Sequence, residues 1–263
     1  MARQPGYAEI RRRVRRLIFS QSMFHAGDRV AVGYSGGKDS TFLLHLLRTF
    51  QDEFSWPFSL CALRVVDPDS PCHDESDVKT SKAWCESIGV PMIVLTPPGN
   101  PIATERIPVR GGPAFVPHPA SACFRCSWRR KETLFRYMAG ANLSILALGH
   151  TAFDLAVTAV MNMMYHGNLE TMPAVMEFFN GAIRVIRPLS PVTEDQVIRH
   201  QRRLNLPASP PSCRSAVGAA RAEVEQWVRA MVQSNPHAIR NILKAATRWS
   251  SQVLENPTGS RPT

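Results

Sequence analysis

The sequence predicts an α/β fold: a parallel sheet with helices on both faces, followed by a helical C-terminal extension. Three observations carry this. Short, almost wholly apolar strand patterns alternate with helical ones; a glycine loop, SGGKDS, follows the first strand and opens a helix; and beyond Pro188 the pattern turns to helices alone.

Taken in order, residues 7–25 read as a basic amphipathic helix, within a basic N-terminal segment over 1–26. RVAVG at 29–33 is a short apolar strand, followed by the glycine loop and a helix over 41–50. SLCALRVV at 59–66 is a second strand, with a helix over 75–88, and PMIVLT at 91–96 is a third. A long irregular stretch leads to a helix over 121–138, the strand LSILALG at 143–149, and a helix over 153–165. The α/β domain therefore spans 27–190, joined by right-handed crossovers. The extension, 191–252, holds helices at 193–204, 217–232 and 236–250, with the proline-rich LPASPPS between the first two, and 253–263 is a frayed tail.

A chain of 263 residues can bury a full core, and its composition, 44% hydrophobic and 20% charged, is globular. No apolar run approaches the roughly 18 residues that span a bilayer. The N-terminal stretch lacks the apolar core and cleavage site of a secretory signal, so a cytoplasmic location and no membrane partner are expected. The net charge is +10. Six arginines fall within the first sixteen residues, and more basic residues follow from Arg199 to Arg248. Such clustering suits a phosphate-rich partner, because each neutralised phosphate releases counterions. A solvated cationic face is the plainer explanation.

A loop that leaves the first strand and opens a helix lies at the carboxyl edge of the sheet, where α/β proteins bind ligands. Gly36 and Gly37 let the backbone approach an anion, and a branched side chain at Gly37 is expected to obstruct phosphate. The loop amides and the helix N-terminus form an anion cup, to which Ser35 and Ser40 add hydroxyls and Lys38 a charge. Asp39 beside phosphate is repulsive unless a divalent cation lies between them, which points to Mg²⁺.

Six cysteines are present. Cys61 and Cys85 fit strand and helix cores, and Cys72 lies in a polar loop. Cys123 and Cys126 form a Cys-x-x-Cys at a helix start beside Arg125, Arg129 and Arg130, where thiolates are stabilised. A zinc site would need two further ligands, for which Cys213 and His118 are available. A redox pair would sit behind the first strand. An iron–sulfur cluster held by three thiolates would leave one iron without a protein ligand.

SGGKDS behind a first strand resembles the signature of the PP-loop ATP pyrophosphatases, which cleave ATP between the α and β phosphates and transfer AMP to a substrate oxygen. More of the chain is similar to one branch, the tRNA 2-thiocytidine sulfurtransferases. The similar features are the basic helix before GDRVAVGYSGGKDS, the Cys-x-x-Cys followed by Arg130 and Lys131, LALGH, MNMMYHGNLETMP, and IRPL at 186–189. They occur in the branch's order from about Tyr7 to Ser250. The resemblance implies an adenine nucleotide alpha hydrolase-like fold, with ATP bound at Ser35, Gly36, Gly37, Lys38, Asp39 and Ser40. It implies Mg²⁺ and a [4Fe–4S] cluster on Cys123, Cys126 and Cys213, with Asp39, Asp154 and Arg130 in catalytic roles. The implied reaction is thiolation at C2 of a tRNA cytidine.

The expected partners are tRNA, a sulfur donor such as a cysteine desulfurase, and a second copy of the chain. Two departures from the branch stand out. Its GHxxDD motif reads Gly149-His150-Thr151-Ala152-Phe153-Asp154, with Phe153 in place of the first aspartate, and SPPSCRS carries a single cysteine. They keep open a small heterocyclic acceptor, or a non-catalytic RNA-binding or redox-sensing protein. A histidine at a strand end, as His150 is, is more often structural than catalytic.

Overall fold

The computed structural model describes residues 6–67, 75–97, 122–209 and 220–255. In chain order the elements up to residue 190 are α1 (Tyr7–Ser20), β1 (Arg29–Gly33), α2 (Lys38–Glu53), β2 (Ser59–Val65), α3 (Glu75–Ser87), β3 (Met92–Leu95), α4 (Ala122–Gly140), β4 (Ile145–Ala147), α5 (Ala152–His166), β5 (Val175–Phe178) and β6 (Ile183–Ile186). Three helices follow: α6 (Glu194–Arg203), α7 (Ala220–Ser234) and α8 (Ala238–Glu255).

The strands form one sheet in the order β3-β2-β1-β4-β6-β5. All pairs are parallel except β5 with β6. Alternate strand residues feed two cores, which explains why each strand reads as nearly continuous apolar sequence. Val30, Val32, Leu60, Ala62 and Ile145 pack under α1 and α2, whereas Ala31, Leu63, Leu146 and Val185 pack under Leu134 and Met138 of α4. α1 buries Ile10, Val14 and Ile18, spaced by one helical turn, in the first core. A third cluster joins Phe153, Ala156, Val157 and Val160 of α5 to Val224 and Val228 of α7, with Ile239, Ile242 and Leu243 of α8 against it.

The β5–β6 hairpin is absent from the sequence reading, which assigned no strand between 166 and 188. Its two strands have only four residues each, and its loop carries the left-handed residues Phe179 (φ 54°) and Asn180 (φ 58°) ahead of Gly181 (φ 89°). Asn-Gly is a hairpin signal that was legible. The hairpin makes the sheet's edge antiparallel. The predicted N-terminal helix also ends earlier than expected, at Ser20, where Ser22 turns left-handed.

The functional consequence lies at the centre. β1 has β2 on one side and β4 on the other, so the chain reverses its direction of progress across the sheet there. In a sheet of this order, the carboxyl ends of β1 and β4 flank the position where ligands bind.

Candidate active site

The loop after β1 is held by its own hydroxyls. Ser40 Oγ donates to Gly37 O (2.9 Å) and accepts from Ser35 N (3.2 Å), and Gly37 N donates to Ser35 Oγ (3.3 Å). Gly37 caps α2 in an extended conformation (φ −72°). The left-handed residue is Gly36 (φ 80°), not Gly37, where the sequence reading placed the steric demand. A Cβ on Gly36 would lie 2.6 Å from Arg64 Nη1 and 2.9 Å from Ser209 Oγ, whereas one on Gly37 would meet only Ser35 Oγ, at 3.3 Å. Ser209 N also donates to Gly36 O (2.9 Å), so the chain beyond α6 is tied to the loop.

Charge is concentrated on the first turn of α2. Lys38 Nζ lies 2.8 Å from Asp39 Oδ2 and 3.1 Å from Glu194 Oε1, and Arg229 Nη1 lies 2.6 Å from Glu194 Oε2. Burial alone would lower the Lys38 pKa, but Asp39 and Glu194 outweigh it and raise it. Burial raises that of Asp39 against the pull of Lys38, with Asp154 and Glu194 adding repulsion. Burial likewise acts to raise Glu194, and Arg229 and Lys38 reverse it. Asp39 Oδ1 is buried and accepts no hydrogen bond. A carboxylate oxygen left in this way, next to other acids, fits a divalent cation.

The loop after β4 closes the other side. A Cβ on Gly149 would come within 3.0 Å of the backbone of Asp39 and Ser40, so only glycine lets the two loops meet this closely. Asp154 caps α5: its Oδ2 accepts from Thr151 N and Thr151 Oγ1, both at 2.9 Å, and its Oδ1 faces Arg221 at 3.2 Å. Phe153 turns into the α5–α7–α8 cluster with Arg229 over its ring.

His150 follows β4, and Arg187 follows β6, the parallel neighbour of β4. Burial and the Arg187 charge bring the His150 pKa down to about 4. Burial also lowers Arg187 to about 10. Arg187 Nη1 donates to Pro173 O (2.7 Å), while Arg187 Nε and His150 Nδ1 are buried without a partner. Lys131, on the exposed side of α4, has its pKa lowered by partial desolvation and by the Arg187 charge. Arg130, its neighbour, is exposed on the same helix.

α4 begins over the same edge of the sheet. Arg129 Nη1 pairs with Asp67 Oδ2 (3.1 Å), and Asp67 lies two residues past the end of β2. Cys123 and Cys126 are one turn apart at the start of α4, so their backbones share a face. Cys126 is a free, part-buried thiol. Cys72, His118 and Cys213 lie outside the described residues, among which no group of three candidate metal ligands occurs. Cys85 is buried core, its thiol pushed up to about 11 by burial, and Cys61 packs against the second core.

The fold thus brings Ser35–Ser40, His150 and Asp154 to one crevice, with the Cys-x-x-Cys helix at its edge. Sequence reasoning missed Glu194, Ser209, Arg187 and Arg221. Arg187 is the second residue of IRPL at 186–189. For Glu194, only the start signal of α6 was visible, a Thr193–Gln196 capping box.

A mostly parallel sheet whose central strand runs into SGGKDS, with the buried, unpartnered Oδ1 of Asp39 beside the loop, defines a PP-loop protein of the adenine nucleotide alpha hydrolase-like class. The chain belongs to the tRNA-cytidine(32) 2-sulfurtransferase family. It is 30% identical over 245 residues to the protein of that name from Coxiella burnetii (strain RSA 493 / Nine Mile phase I), covering 92% of this chain and 91% of the relative. To the one from Xylella fastidiosa (strain M12) it is 30% identical over 239 residues, covering 90% and 75%. No protein-family model matches the chain. Among solved structures it shares its fold with the U34-tRNA thiolase NcsA from Methanococcus maripaludis, determined with its [4Fe-4S] cluster. The TM-score is 0.69 at 21% identity, over 92% of this chain and 78% of that one. NMN synthetase from Francisella tularensis shares the fold more distantly (TM-score 0.51, 14% identity, 99% of each chain).

Proposed function

We propose that this protein thiolates tRNA, replacing the C2 oxygen of a cytidine with sulfur as ATP is cleaved to AMP and pyrophosphate. The observation that carries the reading is spatial. The Arg129–Asp67 pair sets the Cys-x-x-Cys helix over the sheet edge that also bears the pyrophosphate loop, so nucleotide and sulfur chemistry share one crevice. Family membership supports the acceptor.

The base oxygen attacks the α-phosphorus and pyrophosphate leaves. The resulting adenylated C2 is open to a sulfur nucleophile, and AMP departs with the former base oxygen. The chain's own groups suit each part. Amides of Gly36 to Ser40 and the α2 N-terminus receive the pyrophosphate, and Lys38 adds a cation. Asp39 would hold Mg²⁺ through its unpartnered Oδ1. His150 is neutral at physiological pH, so it orients and exchanges hydrogen bonds rather than supplying a fixed charge. Arg187 and Lys131 place positive charge beside it. Arg130 and Asp154 would act beside Asp39 in catalysis, and Asp154 also fixes the turn that follows His150.

A [4Fe–4S] cluster would be held by Cys123 and Cys126, one turn apart at the start of α4, together with Cys213. When bound, it offers an iron without a protein ligand as a place for sulfur. A sulfur donor such as a cysteine desulfurase and assembly as a homodimer complete the proposal, in the cytoplasm. Among the described residues, no helix is long and apolar enough to cross a membrane.

Phe153 and the single cysteine of SPPSCRS are the two departures that point to a small-molecule acceptor. The Phe153 ring is engaged in helix packing, which gives that residue a structural role. The test is mass spectrometry of tRNA nucleosides from a deletion strain. 2-Thiocytidine should be missing, and restored by the wild-type gene but not by Cys126→Ala. An unchanged nucleoside profile would reject the tRNA acceptor.

A further inference from the structure

Glu194 belongs to none of the motifs above, yet it touches the central residue of the pyrophosphate loop. Lys38 Nζ is shared between Asp39 Oδ2 (2.8 Å) and Glu194 Oε1 (3.1 Å). That sharing creates a conflict. The ammonium on Oδ2 repels a cation at the unpartnered Oδ1, so Asp39 engages the cation of Mg·ATP more strongly once Lys38 leaves it. Lys38 then needs another anion to keep it over the phosphates.

Glu194 is built to be that anion. It is the first residue of α6, where the helix N-terminus favours a carboxylate, and the reciprocal Thr193–Gln196 cap fixes the turn. Its second oxygen is held by Arg229 Nη1 at 2.6 Å, and the Arg229 guanidinium rests 4.3 Å from the ring centroid of buried Phe153. The carboxylate is therefore anchored on α6, α7 and α5. With a side-chain exposure of 17%, against 30% for Asp39, it is also the better shielded partner of Lys38.

We propose that Glu194 is a positioning residue for the nucleotide site. It retains Lys38 while Asp39 turns to the metal, and the Phe153–Arg229 stack holds Glu194 in place from the C-terminal helices. This rests on the nucleotide-binding part of the proposed function and is independent of the acceptor. Without Glu194, Lys38 has only Asp39, and the metal must compete with it for that carboxylate. The effect should therefore appear in the magnesium dependence of ATP binding, which a contact that merely joins α6 to α2 would not alter.

The experiment is calorimetric titration of ATP into the full-length protein at a series of Mg²⁺ concentrations, with no RNA present. Glu194→Gln keeps the shape and removes the charge. Its half-saturating Mg²⁺ concentration should rise about tenfold, the size expected for one charge-assisted contact. ATP without metal should bind at least as tightly as to wild type, because a carboxylate near the phosphates has gone. Glu194→Asp should recover part of the shift, and Arg229→Met should reproduce it in weaker form. An unchanged magnesium midpoint in Glu194→Gln would overturn the proposal. So would an equal loss of ATP affinity with and without metal accompanied by a lower Tm, which would make the contact structural. Failure of wild-type protein to bind Mg·ATP would instead reject the nucleotide site itself.

Discussion

The Arg229 guanidinium carbon lies 4.3 Å from the ring centroid of Phe153, joining the first turn of α5 to the middle of α7. Phe153 is 6% exposed and packs with Val224 and Val228. An aspartate there would place a carboxylate among apolar side chains with Arg229 as its neighbour. The phenylalanine instead gives the C-terminal helices an apolar anchor.

Phe153→Ala should therefore cost about 3–5 kcal/mol in urea unfolding, the range for emptying a buried aromatic site. Phe153→Leu, which refills most of the volume, should cost less than about 1.5 kcal/mol. Hydrogen exchange should show the loss first in α7 and α8. Equal, small effects from both variants would mean that the ring is not part of that core.

Gly36 should tolerate substitution far less well than Gly37. Alanine at Gly36 would have to adopt φ 80° and place its Cβ 2.6 Å from Arg64 Nη1. Arg64 is buried and held by Asp77 and Ser81, so it has little room to yield. Gly36→Ala should lower stability by more than about 1 kcal/mol and weaken ATP binding at least tenfold, whereas Gly37→Ala should leave stability nearly unchanged. Thermal unfolding and ATP titration of the two variants check this, and a Gly36→Ala protein as stable as Gly37→Ala would refute it.

These positions show what could be read from the chain and what could not. Strand and helix patterns follow from local periodicity, so the two-faced sheet and the loop behind β1 were legible. So was Cys85 as core, since a cysteine in an amphipathic helix is placed by its neighbours. Glu194 was not legible, because its contact with Lys38 spans 156 positions and depends on α6 packing against α2. The φ of Gly36 was hidden for a similar reason: Gly-Gly does not say which residue bends, and the neighbours that decide it, Arg64 and Ser209, come from distant segments. The β5–β6 hairpin was missed because four-residue strands are too short to show a period.

Acid should destabilise the protein partly through His150. Its pKa is about 4 in the folded chain against an ordinary 6.5. Between those values the unfolded chain carries a proton that the folded one does not, so stability is intact above about pH 6.5 and falls as the pH drops towards 4. The full loss is on the order of 3 kcal/mol. Urea unfolding from pH 7.5 to 4 should show a shallower decline for His150→Asn than for wild type. Parallel curves would mean that His150 is not the titrating group.

RNA affinity should depend on α1, but not equally on its arginines. Ile10, Val14 and Ile18 face the core, which leaves Arg12, Arg13, Arg15 and Arg16 exposed. Arg11 pairs with Glu53, and Arg12 and Arg13 both pair with Glu9. Arg15 lies over the rings of Phe19 and Phe54, and neither Arg15 nor Arg16 forms a salt bridge with a described residue. A phosphate can therefore engage Arg15 and Arg16 directly, whereas Arg12 and Arg13 must first leave Glu9. Replacing Arg16 with glutamine should lower the salt slope of tRNA binding by about one unit and weaken different RNAs alike, as expected of a backbone contact. Glu9→Gln should act in the opposite direction, because it removes a negative charge and releases two guanidinium groups at once. Tighter tRNA binding by Glu9→Gln at low salt, converging with wild type at high salt, is the expected signature. ATP affinity serves as the folding control, since α1 ends far along α2 from the nucleotide loop, with Phe19 against Phe54. If Glu9→Gln and Arg16→Gln both leave the salt dependence unchanged, α1 is a solvated cationic face, and the RNA must be held by the basic residues of α6 to α8.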